Sequence, residues 1–193
     1  METRAAPLGE SERLSAWLAI AAPDPALAAE QWRQNPRLPR RIQCGITFDV
    51  VLADRGLLKS AYEILHRYRQ PLGPAVIFEY LREGAVLVPR GTAARWRALV
   101  GASAWPERMA RPVCLGLGHA IRVPAVESVR AADVRWLVAP DMNLPIGPGP
   151  LLTGPAQLAR CLAEARSPRP AGSFPRGGAI GVMRAMARAP ERT

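Results

Sequence analysis

Apolar and polar residues alternate between Ile46 and Leu52, with Ile46, Phe48, Val50 and Leu52 set against Thr47, Asp49 and Val51. That period predicts a strand with one buried face. From Asp54 to Gln70 the spacing changes to three and four. Leu57, Leu58, Ala61, Tyr62, Leu65 and Tyr68 then mark the apolar stripe of a helix. Asp54 is placed to cap this helix and Pro71 to end it. Upstream, residues 12–22 and 25–35 predict two short helices split by Pro23 and Pro25. Asp24 is the expected cap of the second, and Trp17, Leu18, Leu27 and Trp32 the expected buried positions. Residues 35–41, with Pro36 and Pro39, predict a turn and an extended segment.

Downstream, residues 74–81 and 85–89 predict two strands joined by a tight turn at Arg82–Gly84, hence a hairpin. Residues 91–101 predict a short helix capped by Thr92 and ended by Gly101. Residues 113–125 predict two short strands, or one bent at Gly116 and Gly118. Another strand is expected over 134–140, a rigid loop over 142–150, and an amphipathic helix over 154–166 with Leu158, Leu162 and Ala165 inward. The order of elements is that of an α+β fold, a mostly antiparallel sheet with helices packed on it. Residues 1–166 are expected to form one domain. Residues 167–193 hold four Pro, four Gly and five Arg, which predicts a disordered basic tail.

Composition narrows the class. With 49% hydrophobic and 22% charged residues, the chain has the makeup of a folded protein. No apolar run reaches the roughly 18 residues that would cross a bilayer, so no membrane partner is expected. The first residues, METRAAPLGESERL, are acidic and polar, unlike a signal peptide. Three cysteines (Cys44, Cys114, Cys161) without a CxxC, and two distant histidines (His66, His119), predict a reduced cytoplasmic chain with no zinc framework. Cys114 and Cys161 have apolar neighbours and are expected inside. No GK[ST] phosphate loop and no GxSxG elbow occurs.

Net charge is +10, divided as −2 over residues 1–35, +8 over 36–166 and +4 over 167–193. A basic body with a basic tail points to an anionic partner, DNA or RNA first and an acidic protein second. The 25 Arg against one Lys, with abundant Ala, Pro and Gly, are equally the imprint of GC-rich coding. Charge alone leaves both readings open.

A set of segments in a characteristic order adds to this picture. FDVV is followed by a helix, GP-x-V, a turn, AVLVPRGTA, C-x-G-x-G-H-A-I-x-V-P and VRWLVAP. Over residues 28–166 the chain resembles the actinobacterial bifunctional DNA primase/polymerase N-terminal domains, as a short stand-alone member. The resemblance implies a fold similar to the archaeo-eukaryotic primase core, an RRM-like sheet with flanking helices. In active members a strand carries Asp-x-Asp or Asp-x-Glu, a nearby strand carries a nucleotide-contacting histidine, and a third acid completes the metal site. Nucleotidyl transfer needs two divalent cations held by hard oxygen ligands. Carboxylates at i and i+2 of a strand share a face and can meet both.

Asp49 matches the first acid of that pattern, but Val51 stands at the second. The hairpin EYLREGAVLVP holds no helper histidine, and His119 falls in the later segment. The resemblance therefore implies a degenerate active site with no cofactor; magnesium or manganese enters only if activity survives. Asp49 is the candidate catalytic and metal-binding residue, weighed against a structural acid that caps a helix or pairs with an arginine. His119 is a candidate cofactor contact, weighed against a hydrogen-bonded loop histidine. His66, Glu79 and Glu83 are expected to be solvated.

Arg37, Arg40, Arg41, Arg82, Arg90, Arg95, Arg97 and Arg122 are the candidate lining of a nucleic-acid groove. Trp96, in RWR, and Trp105 are the candidate exposed stacking residues, whereas Trp17, Trp32 and Trp136 are expected in the core. Three readings of function follow. The chain is a degenerate primase/polymerase-like nucleic-acid binder, a protein-interaction module on the same fold, or an active polymerase whose metals are held by Asp49 with Glu79, Asp133 or Asp141.

Overall fold

The computed structural model describes residues 9–101, 105, 110–128, 133–141 and 149–166. The tail 167–193 and most of the loop expected over 142–150 lie outside them. Two helices come first, α1 (Glu10–Ala19) and α2 (Pro25–Gln34). Asp24 caps α2, its Oδ1 accepting the Leu27 N–H at 3.0 Å. Strands β1 (Arg40–Gln43) and β2 (Phe48–Asp54) follow, and then α3 (Arg55–Arg67). Asp54 caps α3 through the Gly56 and Leu57 N–H groups at 2.8 and 3.0 Å. Next come β3 (Ala75–Phe78), β4 (Glu83–Pro89) and α4 (Thr92–Gly101). The chain continues through β5 (Val113–Leu115), β6 (Ala120–Val123), β7 (Val134–Val138) and α5 (Pro155–Ala165).

The fold is α+β, and every strand pairing among the described residues is antiparallel. Five strands form one sheet in the order β5-β2-β4-β3-β7. Helix α3 carries the chain from β2 to β3, with β4 seated between them. Helix α4 carries it from β4 to β5, with β2 seated between. This is the interlocked split β-α-β arrangement of RRM-like sheets, extended by β7. β1 and β6 form a separate two-stranded ribbon, with Arg41 opposite Arg122 and Ile42 opposite Ile121.

Both faces of the main sheet are covered. On one face Val51, Ala53, Ile77, Val86 and Val88 pack with Leu58, Leu65, Trp96, Leu158 and Leu162 of α3, α4 and α5. On the other, Phe48, Val50, Val76, Leu87 and Trp136 pack with Leu18 and Trp32 of the first two helices and with Ile42, Ile121 and Val123 of the ribbon. Strand β2 is therefore buried on two faces, not the one its alternation predicts. Its polar-side position Val51 is as inaccessible as Val50.

Several boundaries differ from the sequence reading. The first strand begins at Arg40, inside the expected extended segment, because β6 supplies a pairing partner that RRIQ does not advertise locally. Leu27 is about half exposed, on the side of α2 turned from the core. Tyr68 sits past the end of α3 and is exposed. The hairpin turn is Glu79–Arg82, three residues ahead of the expected Arg82–Gly84. Gly84 lies inside β4 opposite Ala53 and Ile77, where a Cβ would come within 2.6 Å of Leu58 Cδ2. That glycine gives α3 room to pack on the sheet. The left-handed turn residue is Arg82, at φ 55°.

Candidate functional site

Asp49 is 2% exposed, on the sheet face covered by α3, α4 and α5. Its Oδ2 accepts the Ala93 N–H at 2.7 Å, in the first turn of α4. The carboxylate thus satisfies a helix-terminal donor from a strand distant in sequence, where the positive end of the helix dipole favours it. Thr92, the expected cap, instead donates its hydroxyl to Pro89 O at 2.5 Å. Gly116 closes over this pair: a Cβ there would lie 2.8 Å from the Ala93 Cβ and 3.7 Å from Asp49 Oδ1. Burial first, and the Asp49 charge second, push the Cys44 thiol up to about 11 and the Cys114 thiol up to about 12. Both stay protonated at neutral pH, so neither is poised as a nucleophile.

The other acids are elsewhere. Glu79 and Asp133 lie just past the Asp54 end of the sheet, roughly 20 Å along the strands from Asp49 at about 3.3 Å per residue. Asp141 follows β7, three strand spacings from β2, roughly 14 Å across the sheet. Among the described residues no three His, Cys, Asp or Glu side chains gather as a metal-ligand set. His119 is exposed, its Nδ1 3.3 Å from Gly116 O, while its carbonyl accepts the Cys44 N–H at 2.9 Å. That is the geometry of a loop histidine which pins the ribbon to β5.

Glu79 is not the solvated hairpin charge that its position suggests. Its carboxylate accepts Arg135 Nε at 2.6 Å and Arg55 NH1 at 3.1 Å. Neither arginine stands out in the sequence reading. The available signal was a charge at an alternate position of an apolar strand on each side, Glu79 two residues beyond Ile77 and Arg135 beside Trp136. Glu83 is exposed, as expected.

The basic residues fall into separate groups. Arg40, Arg41 and Arg122 lie together on the ribbon, Arg41 and Arg122 facing each other on its outer side. Arg122 reaches Asp133 Oδ2 at 3.4 Å. Arg41 makes no ion pair among the described residues, and the Arg40 Nε is buried without a hydrogen-bond partner. Arg37 precedes the ribbon. Arg82 and Arg90 bracket β4 and so stand roughly 20 Å or more apart. Arg95 and Arg97 are exposed on α4, across the sheet from the ribbon. The structure does not line up these eight arginines along one groove.

The aromatic candidates also move. Trp96 is 4% exposed, its Nε1 donating to Pro112 O at 3.0 Å, and Trp105 is 8% exposed beneath Arg166, whose guanidinium lies 4.9 Å from the ring centre. Trp96 anchors α4 in the core because every third or fourth position of that short helix must face the sheet, whatever its charged neighbours. Trp32 and Trp136 are buried, while Trp17 is half-buried against Phe48 at 5.3 Å. The exposed aromatic that the reading missed is Tyr80, 81% exposed in the hairpin turn.

Compared with protein-family models, with curated proteins and with solved structures, the chain matches none.

Proposed function

We propose that this chain is a nucleic-acid-binding domain on a primase/polymerase-like sheet whose metal strand has passed to structural use, with the outer face of the β1–β6 ribbon as its binding surface. The observation that carries this reading is the direct opposition of Arg41 and Arg122 on an exposed face. Like charges across a strand pair destabilise it. Asp133 meets the Arg122 charge in part, at 3.4 Å, and leaves Arg41 without an ion pair among the described residues, so the pair keeps an excess of positive charge that phosphate oxygens from one strand can meet. The ribbon also covers the sheet face on which RRM domains stack bases, so any nucleic acid has to lie outside it. Asp49 lies beyond the sheet on the helix side and takes no part in this surface.

The test is fluorescence anisotropy of a labelled single-stranded DNA with the full chain over a salt series. Binding is expected to weaken as salt rises. Arg41→Ala with Arg122→Ala should lower the magnitude of the logarithmic salt slope by about 0.7 for each phosphate no longer neutralised. Binding that is absent at low salt, or flat across the series, would overturn the proposal and favour an acidic protein partner for the same arginines.

A further inference from the structure

The geometry points to the β3–β4 turn as a base-stacking tip, with Tyr80 as the residue that makes the nucleic-acid surface selective for unpaired strands. This inference rests on the function proposed above. Tyr80 and its neighbour Leu81 are 81% and 65% exposed, side by side, in a turn of four residues. A single exposed apolar residue calls for no explanation. Two adjacent ones on a turn whose base is held from both sides are a different matter.

The base of the turn is fixed by four bonds. The Arg55 N–H donates to Arg82 O at 2.8 Å, and the Glu79 N–H donates to Asp133 O at 2.9 Å. The Glu79 carboxylate then ties Arg55 and Arg135 together at 3.1 and 2.6 Å. Arg82 completes the turn in the left-handed region. A turn on such a base needs little backbone ordering when its exposed ring meets a partner, and this favours an apolar contact.

The turn is also continuous with the ribbon. Asp133, whose carbonyl receives the Glu79 N–H, holds Arg122 at 3.4 Å, and Arg122 faces Arg41. A path thus runs from Tyr80 through Asp133 to the paired arginines. The acids along it are engaged: Asp54 by the α3 N–H groups, Glu79 by two guanidinium groups and Asp133 by Arg122. Glu83 is exposed beside Arg82. An exposed aromatic joined to arginines suits a single strand, whose bases offer their faces while its phosphates lie along the basic residues. A duplex hides those faces. An acidic peptide would use the arginines and leave the ring idle.

The experiment compares the full chain with Tyr80→Ala, Tyr80→Phe and the Arg41→Ala/Arg122→Ala pair, on a labelled single-stranded oligonucleotide and on the duplex of the same sequence. Tyr80→Ala is expected to weaken single-strand binding about 5- to 100-fold with an unchanged salt slope. Tyr80→Phe should stay within about 2-fold of the parent, since stacking needs the ring and not the hydroxyl. The arginine pair should change the slope. If the parent binds with a salt slope but Tyr80→Ala binds equally well, or weakens single strand and duplex alike, the stacking tip is overturned while the basic surface stands. If the parent binds neither nucleic acid at low salt, the proposed function fails, and the stacking tip with it. Thermal unfolding of Tyr80→Ala at the parent's midpoint confirms that the variant is folded.

Discussion

The two ends of the central sheet handle an acidic residue in opposite ways. At one end Asp49 is enclosed, 2% exposed, with a helix N–H as its partner and glycine backbone over it. At the other, Glu79 sits 26% exposed between Arg55 and Arg135, at the base of a turn that holds apolar side chains in solvent. The first end has the chemistry of a core, where a charge survives because a donor is fixed in place for it. The second has the chemistry of a rim, where charges are paired, water is near and a partner can approach. A catalytic metal would need the first end to be open and richer in oxygen ligands. A binding surface needs what the second end already provides.

The largest expected effect comes from placing a second acid at the enclosed end. Val51→Asp creates an Asp-x-Asp spacing with Asp49, but Val51 has no exposed surface and packs among helix side chains. An unpaired carboxylate there should cost about 3–5 kcal/mol or abolish folding. Urea unfolding with and without millimolar manganese checks this. Recovery of stability with the metal would reveal a latent ligand site and break the contrast between the two ends.

A smaller effect is expected from Asp49 itself. Asp49→Ala leaves the partly buried Ala93 N–H without its acceptor and should cost about 1–3 kcal/mol. Asp49→Asn keeps an acceptor oxygen and should recover about half of that loss. Equal losses for the two variants would show that charge, not capping, is what α4 needs.

The smallest change should be at the open end. Glu79→Gln removes the charge that joins two arginines, all three side chains being roughly a quarter to a third exposed. Solvent screening limits the loss to about 0.5–1 kcal/mol, and raising the salt should shrink it further. A loss as large as that of Asp49→Ala would mean that the turn is held more tightly than its exposure implies.

Local pattern carried much of the architecture. Helix α3, with its Asp54 cap, could be read from the three- and four-residue spacing of Leu57, Leu58, Ala61 and Leu65, and Asp24 marked the start of α2. Gly84 could not be read correctly. In a chain, glycine after Arg-Glu looks like a turn; in the fold it is the gap into which Leu58 packs, so the turn moves upstream and carries Tyr80 and Leu81 into solvent. Trp96 misled for a related reason. Its arginine neighbours suggested a surface, but helix geometry turned the ring inward and the arginines outward.

The amino-acid sequence by itself determined the α+β class, the order of helices and strands, the local caps and the basic balance. These depend on neighbours a few residues apart, where periodicity and capping chemistry act directly. It also singled out Asp49 as an unusual acid among apolar residues. Only the tertiary structure decided what that acid does, because its partner, the Ala93 N–H, comes from 44 residues away. The same holds for the pairing of Arg41 with Arg122 and for the clasp of Glu79 by Arg55 and Arg135. Each is a contact between elements whose approach is set by packing of the whole sheet, and no local spacing encodes that approach.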